Sequence, residues 1–162
     1  MTRTSVSASK SSNGLASALR AIRRHRQRRP GDLAEALRLP RRSYEHFEAG
    51  GGRLNTDRVQ AFAEATQSDA YAIFASLWIA SPEFAVRCAD NKLMTILIMA
   101  LQDFDAAAGD DIARLDARTL ITAFDTLFQT LTAEAQHRNV STDAEIVERL
   151  RRLAPPPKST DE

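Results

Sequence analysis

The stretch from Pro30 to Ala49, PGDLAEALRLPRRSYEHFEA, limits what the chain can fold into more than any other segment. Two short helices that meet at a steep angle need small or apolar side chains facing each other, and Leu33, Ala34, Leu37, Leu39, Tyr44 and Phe47 fall at suitable positions. The spacing predicts a helix-turn-helix pattern. Ala34 sits where the helices cross most closely, Leu39 plugs the turn, and Tyr44 and Phe47 anchor the second helix. Arg41, Arg42, Glu45 and His46 are then left on the outside, with Ser43 near the helix start. Arg38 falls at the sharp turn, where a left-handed conformation costs a residue other than Gly on the order of 1 kcal/mol. Pro30 suits a first helical turn, because its missing N–H would have had no intrahelical partner.

The rest of the chain also reads as helical. Leu15, Leu19 and Ile22 recur at spacings of four and three, as do Val59, Phe62 and Ala63, and no segment has a convincing period of two. The segment AGGGRLN ends one helix, and the next begins near Asn55 or Thr56, both good N-caps. A long helix is expected after Ser81, with Phe84, Cys88, Met94, Leu97, Ile98, Leu101 and Phe104 on an apolar face. A second, capped by Asp116, carries Leu120, Ile121, Phe124, Leu127, Phe128 and Leu131. A last helix is predicted from Thr142, which stands at capping-box spacing from Glu145. The predicted fold class is all-α, with a flexible arm over 1–12, a five-helix N-terminal domain over 13–76, a helical hairpin or bundle over 77–153 and a disordered tail over 154–162.

The net charge of +1 conceals a segregation. Residues 1–58 hold 13 Lys/Arg against 5 Asp/Glu, whereas residues 59–162 hold 9 against 16. No acidic residue precedes Asp32, and RAIRRHRQRR places six Arg in ten positions. A basic half on a nearly neutral protein suggests a polyanionic partner, with nucleic acid the leading candidate.

At this point residues 14–75 resemble the Cro/repressor-like, or XRE-type, family of DNA-binding domains. The resemblance is carried by Arg23 in AIRRH, by Leu33-Ala34, and by Glu48-Ala49-Gly50, with RVQAFAEAT similar to a fourth helix. It implies a structural ion pair between Arg23 and Glu48, which removes Arg23 from the DNA contacts. The chain departs from the pattern at Arg38, where the family often has Gly, and at Pro30, where it often has Gln. A bacterial or phage-derived origin is implied. Short regulators that combine this domain with a helical extension include activators of phage-like gene clusters, such as gene transfer agents, although no motif residue selects that subgroup.

The function expected is a sequence-specific transcription regulator that binds double-stranded DNA. Arg41 and Arg42 are the main base-reading candidates, since a guanidinium fork matches guanine O6 and N7. His46 would reach a base or a phosphate, and Glu45 would accept from cytosine N4 or restrain an Arg. Arg24, Arg26, Arg28, Arg29, Arg38, Ser43, Arg53 and Arg58 are phosphate candidates. Contact of Arg41 and Arg42 with phosphates alone stays open. The apolar residues Leu97, Leu101, Phe104, Phe124 and Phe128 are interface candidates for a homodimer or a second regulatory protein, RNA polymerase among them. An antitoxin that covers a toxin with its second half, or a nonspecific nucleoid protein, are the alternatives.

Enzymatic readings fare poorly. GGGR lacks the preceding strand and the Lys-Ser/Thr of a phosphate-binding loop, and the single Cys88 reads as a small buried hydrophobe. His25, His46 and His137 lie far apart, so no metal site is expected; no other cofactor is expected either, and no small-molecule ligand is evident. With no apolar leader and no run of 18 apolar residues, the expectation is a reduced, cytoplasmic, nucleoid-associated protein without a membrane span.

Overall fold

The computed structural model describes the backbone of residues 3–52 and 54–153, and the side chains of residues 13–52 and 54–138. All regular structure in the described residues is helical. The order is α1 (Arg3–His25), α2 (Pro30–Ala36), α3 (Arg41–Glu48), α4 (Thr56–Ala65), α5 (Ala70–Trp78), α6 (Pro82–Arg87), α7 (Leu93–Ala108), a 3-10 turn (Gly109–Arg114) and α8 (Ala117–Leu153). The chain divides into two compact units, Met1–Ala107 and Ala108–Glu162.

The first unit is built around one core. Leu15, Leu19 and Ile22 of α1 are buried with Leu33 and Ala34 of α2, Tyr44 and Phe47 of α3, Val59 and Phe62 of α4, Ile73 of α5 and Ala85 of α6. Phe47 meets Tyr44 and Phe62 edge to face, with ring centroids 6.4 Å and 6.2 Å away. Such pairs add roughly 0.5–1.5 kcal/mol to the burial of their area. The core extends through α6, which packs on α1 and α5, so the expected division at residue 76 falls inside α5. Cys88 is buried at the end of α6, and burial pushes its thiol up to about 11, leaving it protonated at neutral pH.

Most turns between these helices share one stop signal. After α1, α2, α4 and α5 a residue with positive φ closes the helix: Gln27, Arg38, Gln67 and Ala80, at 52°, 54°, 52° and 53°. After α3 the same place is taken by Gly50, at 73°. In the turn after α2, Leu39 N–H donates to Ala34 O at 2.8 Å and Arg38 N–H to Glu35 O at 2.9 Å, the Schellman pairing that satisfies the last free carbonyls.

Three expectations from the sequence are corrected. Residues 3–12, part of the stretch read as a flexible arm, are helical and continue α1, for no Gly or Pro interrupts the chain before Gly14. The long helix expected after Ser81 is two helices, because the chain turns between Cys88 and Leu93, with Lys92 at φ 55°. The separate helix expected from Thr142 is the continuation of α8, again because Gly and Pro are missing from the segment joining it to the preceding turns.

The break before α7 is held by a buried carboxylate. Asp69 caps α5 by accepting from Ala72 N–H at 3.2 Å, and also accepts from Met94 N–H at 2.9 Å, Thr95 N–H at 3.1 Å and Thr95 Oγ1–H at 2.9 Å. One side chain thus serves two helix starts, where unpaired N–H groups and the helix dipole both favour an anion. Replacing Asp69 by Ala removes both caps, each worth about 1 kcal/mol. The expected result is an unfolding free energy lower by roughly 2–3 kcal/mol. Faster amide hydrogen exchange at Met94 and Thr95 is the measurement that localises the loss.

α7 lies largely outside this core and has no buried residue. Its Ile96, Met99, Leu101 and Phe104 are exposed. In the second unit, Asp116 starts α8 by accepting from Thr119 N–H at 2.9 Å and from its hydroxyl at 2.8 Å; these bonds hold the Asp116 carboxyl below its ordinary value. Along α8, Ile121, Phe124, Leu127, Phe128 and Leu131 are exposed. The first unit also carries Trp78 with 80 % of its surface free, beside exposed Ile79.

Candidate nucleic-acid interface

The inward face of α3 is set by Tyr44 and Phe47, which are buried, and by Glu48, also buried. Glu48 is accommodated because it is paired: Arg23 donates through Nε to Oε1 and through Nη2 to Oε2 at 3.2 Å, and Tyr44 O–H donates to Oε1 at 3.0 Å. The carboxylate raises the Arg23 pKa, and burial raises that of Tyr44. Arg23 therefore faces the core side of α3 and fastens the end of α1 to the end of that helix. Its side chain keeps 17 % of its surface exposed.

The outward face holds Arg41, Arg42, Glu45 and His46, all exposed, with Ser43 half-buried beside them. Arg41 Nε donates to Glu45 Oε1 at 2.9 Å, one helical turn away. The His46 ring rests against Gly51, where an added Cβ would collide with it, so the glycine loop after α3 leaves room for that side chain. Just before α3, exposed Arg38 projects from the left-handed turn. Gly carries no Cβ penalty at this φ, so Arg38→Gly is expected to raise the unfolding free energy by up to about 1 kcal/mol in a urea titration. If Arg38 meets a phosphate, the same substitution weakens DNA binding at low salt, opposite in direction to its effect on stability.

The phosphate candidates separate into paired and unpaired groups. Arg26 is half-buried: it donates to the Thr66 and Gln67 carbonyls at 2.9 Å and 3.2 Å and to Asp90 Oδ1 at 2.7 Å. It ties the end of α1 to the turn after α4 and to the segment before α7, a framework role. The Arg26 bond holds the exposed Asp90 carboxyl below its ordinary value. Arg29 pairs with Asp32 at 3.2 Å on the surface. Arg24, Arg28, Arg38, Arg42 and Arg58 are exposed, and among the described residues Arg24, Arg38, Arg42 and Arg58 have no carboxylate partner. Arg53 lies outside the described residues. Of the interface candidates, Leu97 is half-buried, while Leu101, Phe104, Phe124 and Phe128 are exposed.

Sequence reasoning missed Asp69 and the framework role of Arg26. An Asp before the apolar run of α5 is a readable N-cap signal. Nothing local signals that the same carboxylate reaches Thr95, or that Arg26 reaches Asp90. No group of three or more His, Cys, Asp or Glu among the described residues has the arrangement of a metal site. Among them, too, no helix is long and apolar enough to cross a membrane. Comparison with known proteins finds no matching family model, no similar curated protein and no similar solved structure.

Proposed function

We propose that the chain is a sequence-specific DNA-binding transcription regulator of bacterial or phage-derived type, built on a Cro/repressor-like helix-turn-helix domain. The observation that carries this reading is the two-sided α3. Tyr44, Phe47 and Glu48 bind it to the core, while Arg41, Arg42, Glu45 and His46 form a polar outer row behind the projecting Arg38. A helix held in this way can enter the major groove, where guanine presents two acceptors to a guanidinium. The unpaired Arg residues around it supply the phosphate contacts that fix its register.

Genome-wide occupancy of the wild-type protein tests the reading: discrete promoter peaks support it, and uniform coverage points instead to a nonspecific nucleoid protein. In solution, about six neutralised phosphates give a slope of roughly −5 in log affinity against log salt. A slope near zero would exclude a phosphate-bound mode altogether.

The second part of the proposal takes the exposed apolar residues of α7 and those of α8, each helix by itself, as contact surfaces for a second copy of the chain or for another protein of the transcription apparatus. A pair of copies would present two α3 helices to successive half-sites. Sedimentation of the full chain beside a Phe124→Asp/Phe128→Asp variant tests the first arrangement. A dimer that becomes monomeric in the variant is the expected outcome. A wild type that is monomeric at all concentrations leaves the surface to a different protein; co-purification of a small toxin would favour the antitoxin alternative.

A further inference from the structure

The bond between Arg41 and Glu45 uses only part of each side chain. Arg41 donates through Nε, the inner edge of the guanidinium, to Glu45 Oε1 at 2.9 Å. Its outer fork, Nη1 and Nη2, and the second carboxylate oxygen, Oε2, carry no other hydrogen bond among the described residues. Both residues are open to solvent, with 72 % and 49 % of their side-chain surface free. An exposed pair of this kind contributes little to stability. It does orient a guanidinium.

In the major groove the two free ends meet different demands. The outer fork of Arg41 matches the O6 and N7 acceptors of guanine. A carboxylate oxygen is repelled by phosphates and by every base acceptor, and cytosine N4 is the one edge that offers an amino donor without an adjacent acceptor. One helical turn advances about 5.4 Å, against a base-pair rise of about 3.4 Å, so groups a turn apart meet bases no more than about two steps apart.

Resting on the reading of α3 as a major-groove helix, we propose that Glu45 is a specificity-determining residue. It holds Arg41 by Nε so that the outer fork meets guanine end-on, and its free oxygen accepts from the N4 amino group of a cytosine within two base pairs. Arg41 and Glu45 thereby read a guanine and a cytosine as one unit.

Selection of bound duplexes from a random library tests this, with the full-length wild type, Glu45→Ala, Glu45→Gln and Arg41→Ala, each confirmed as folded by circular dichroism. The wild type is expected to enrich a guanine with a cytosine no more than two base pairs away. Glu45→Ala keeps the guanine and loses about tenfold or more of the cytosine preference. Glu45→Gln shifts that position towards adenine, whose N6 and N7 suit an amide. Arg41→Ala loses the guanine. An unchanged cytosine preference in Glu45→Ala overturns the proposal, as does an equal gain in affinity for all sequences, which would mean that the carboxylate only repels phosphate. Both results leave α3 as a reader of DNA. A wild type that enriches no sequence overturns that reading as well.

Discussion

Arg41→Ala/Arg42→Ala is expected to abolish discrete promoter occupancy while leaving the protein folded. Each bidentate contact between Arg and guanine discriminates by about 1–3 kcal/mol, so the loss of two amounts to a factor on the order of 10² or more in specific affinity. Nonspecific affinity at low salt falls much less, because Arg24, Arg38 and Arg58 remain. The structural cost is small. Both side chains are exposed, and the surface pair lost with Arg41 is worth about 0.3–0.5 kcal/mol. With protein levels matched, chromatin occupancy beside a thermal melt separates the two effects. Peaks that survive the double substitution would place sequence reading in another segment or another protein.

Glu48→Ala acts in the opposite sense, unfolding the domain rather than blunting its surface. Glu48 accepts from Arg23 and from Tyr44 in a buried position, and its removal leaves a guanidinium and a phenol without their acceptor. Breaking one side of such a pair costs about 3 kcal/mol or more, a large fraction of the stability of a small domain. The expected result is a marked drop in the urea midpoint with an unchanged slope. Glu48→Gln keeps acceptor and shape and should lose less. A double-mutant cycle with Arg23→Ala gives the coupling directly, and a coupling near zero would show that the pair does not fasten α1 to α3. Tyr44→Phe removes only the 3.0 Å bond and, with the hydroxyl, a pH dependence that the wild type carries. Burial raises the Tyr44 pKa, so the neutral phenol contributes stability that is full below the unfolded value of about 10 and lost as pH rises through the folded one.

The α2–α3 region was legible because its signals are local. The spacing of Leu33, Ala34, Leu37 and Leu39 places a turn at Arg38, and Arg38 adopts the left-handed geometry that such a turn needs. Asn55 and Asp116 were likewise readable as caps, since each bonds an N–H three residues on. The break between α6 and α7 was not legible. Its apolar stripe, from Phe84 through Met94 to Phe104, fits one continuous helix, and the turn is fixed by Asp69 from a different part of the chain. The same limit applies to the outer surface. Composition counts Arg26 among the cations available to DNA, but its carboxylate partner is Asp90, 64 residues away. Periodicity identified the apolar residues of α7 and α8 without saying which would be covered. On those faces the large side chains of Phe104, Phe124 and Phe128 stand exposed.

The position of Trp78 has a spectroscopic consequence. It is the chain's single tryptophan, and its indole is almost as accessible in the native protein as in an extended chain. Its emission should therefore lie near that of indole in water both before and after denaturation, leaving fluorescence melts nearly featureless where circular dichroism records a clear transition. The same insensitivity makes the residue a quiet reporter. A blue shift on mixing with any macromolecule would signal that the end of α5 has been covered, without a label and without interference from folding.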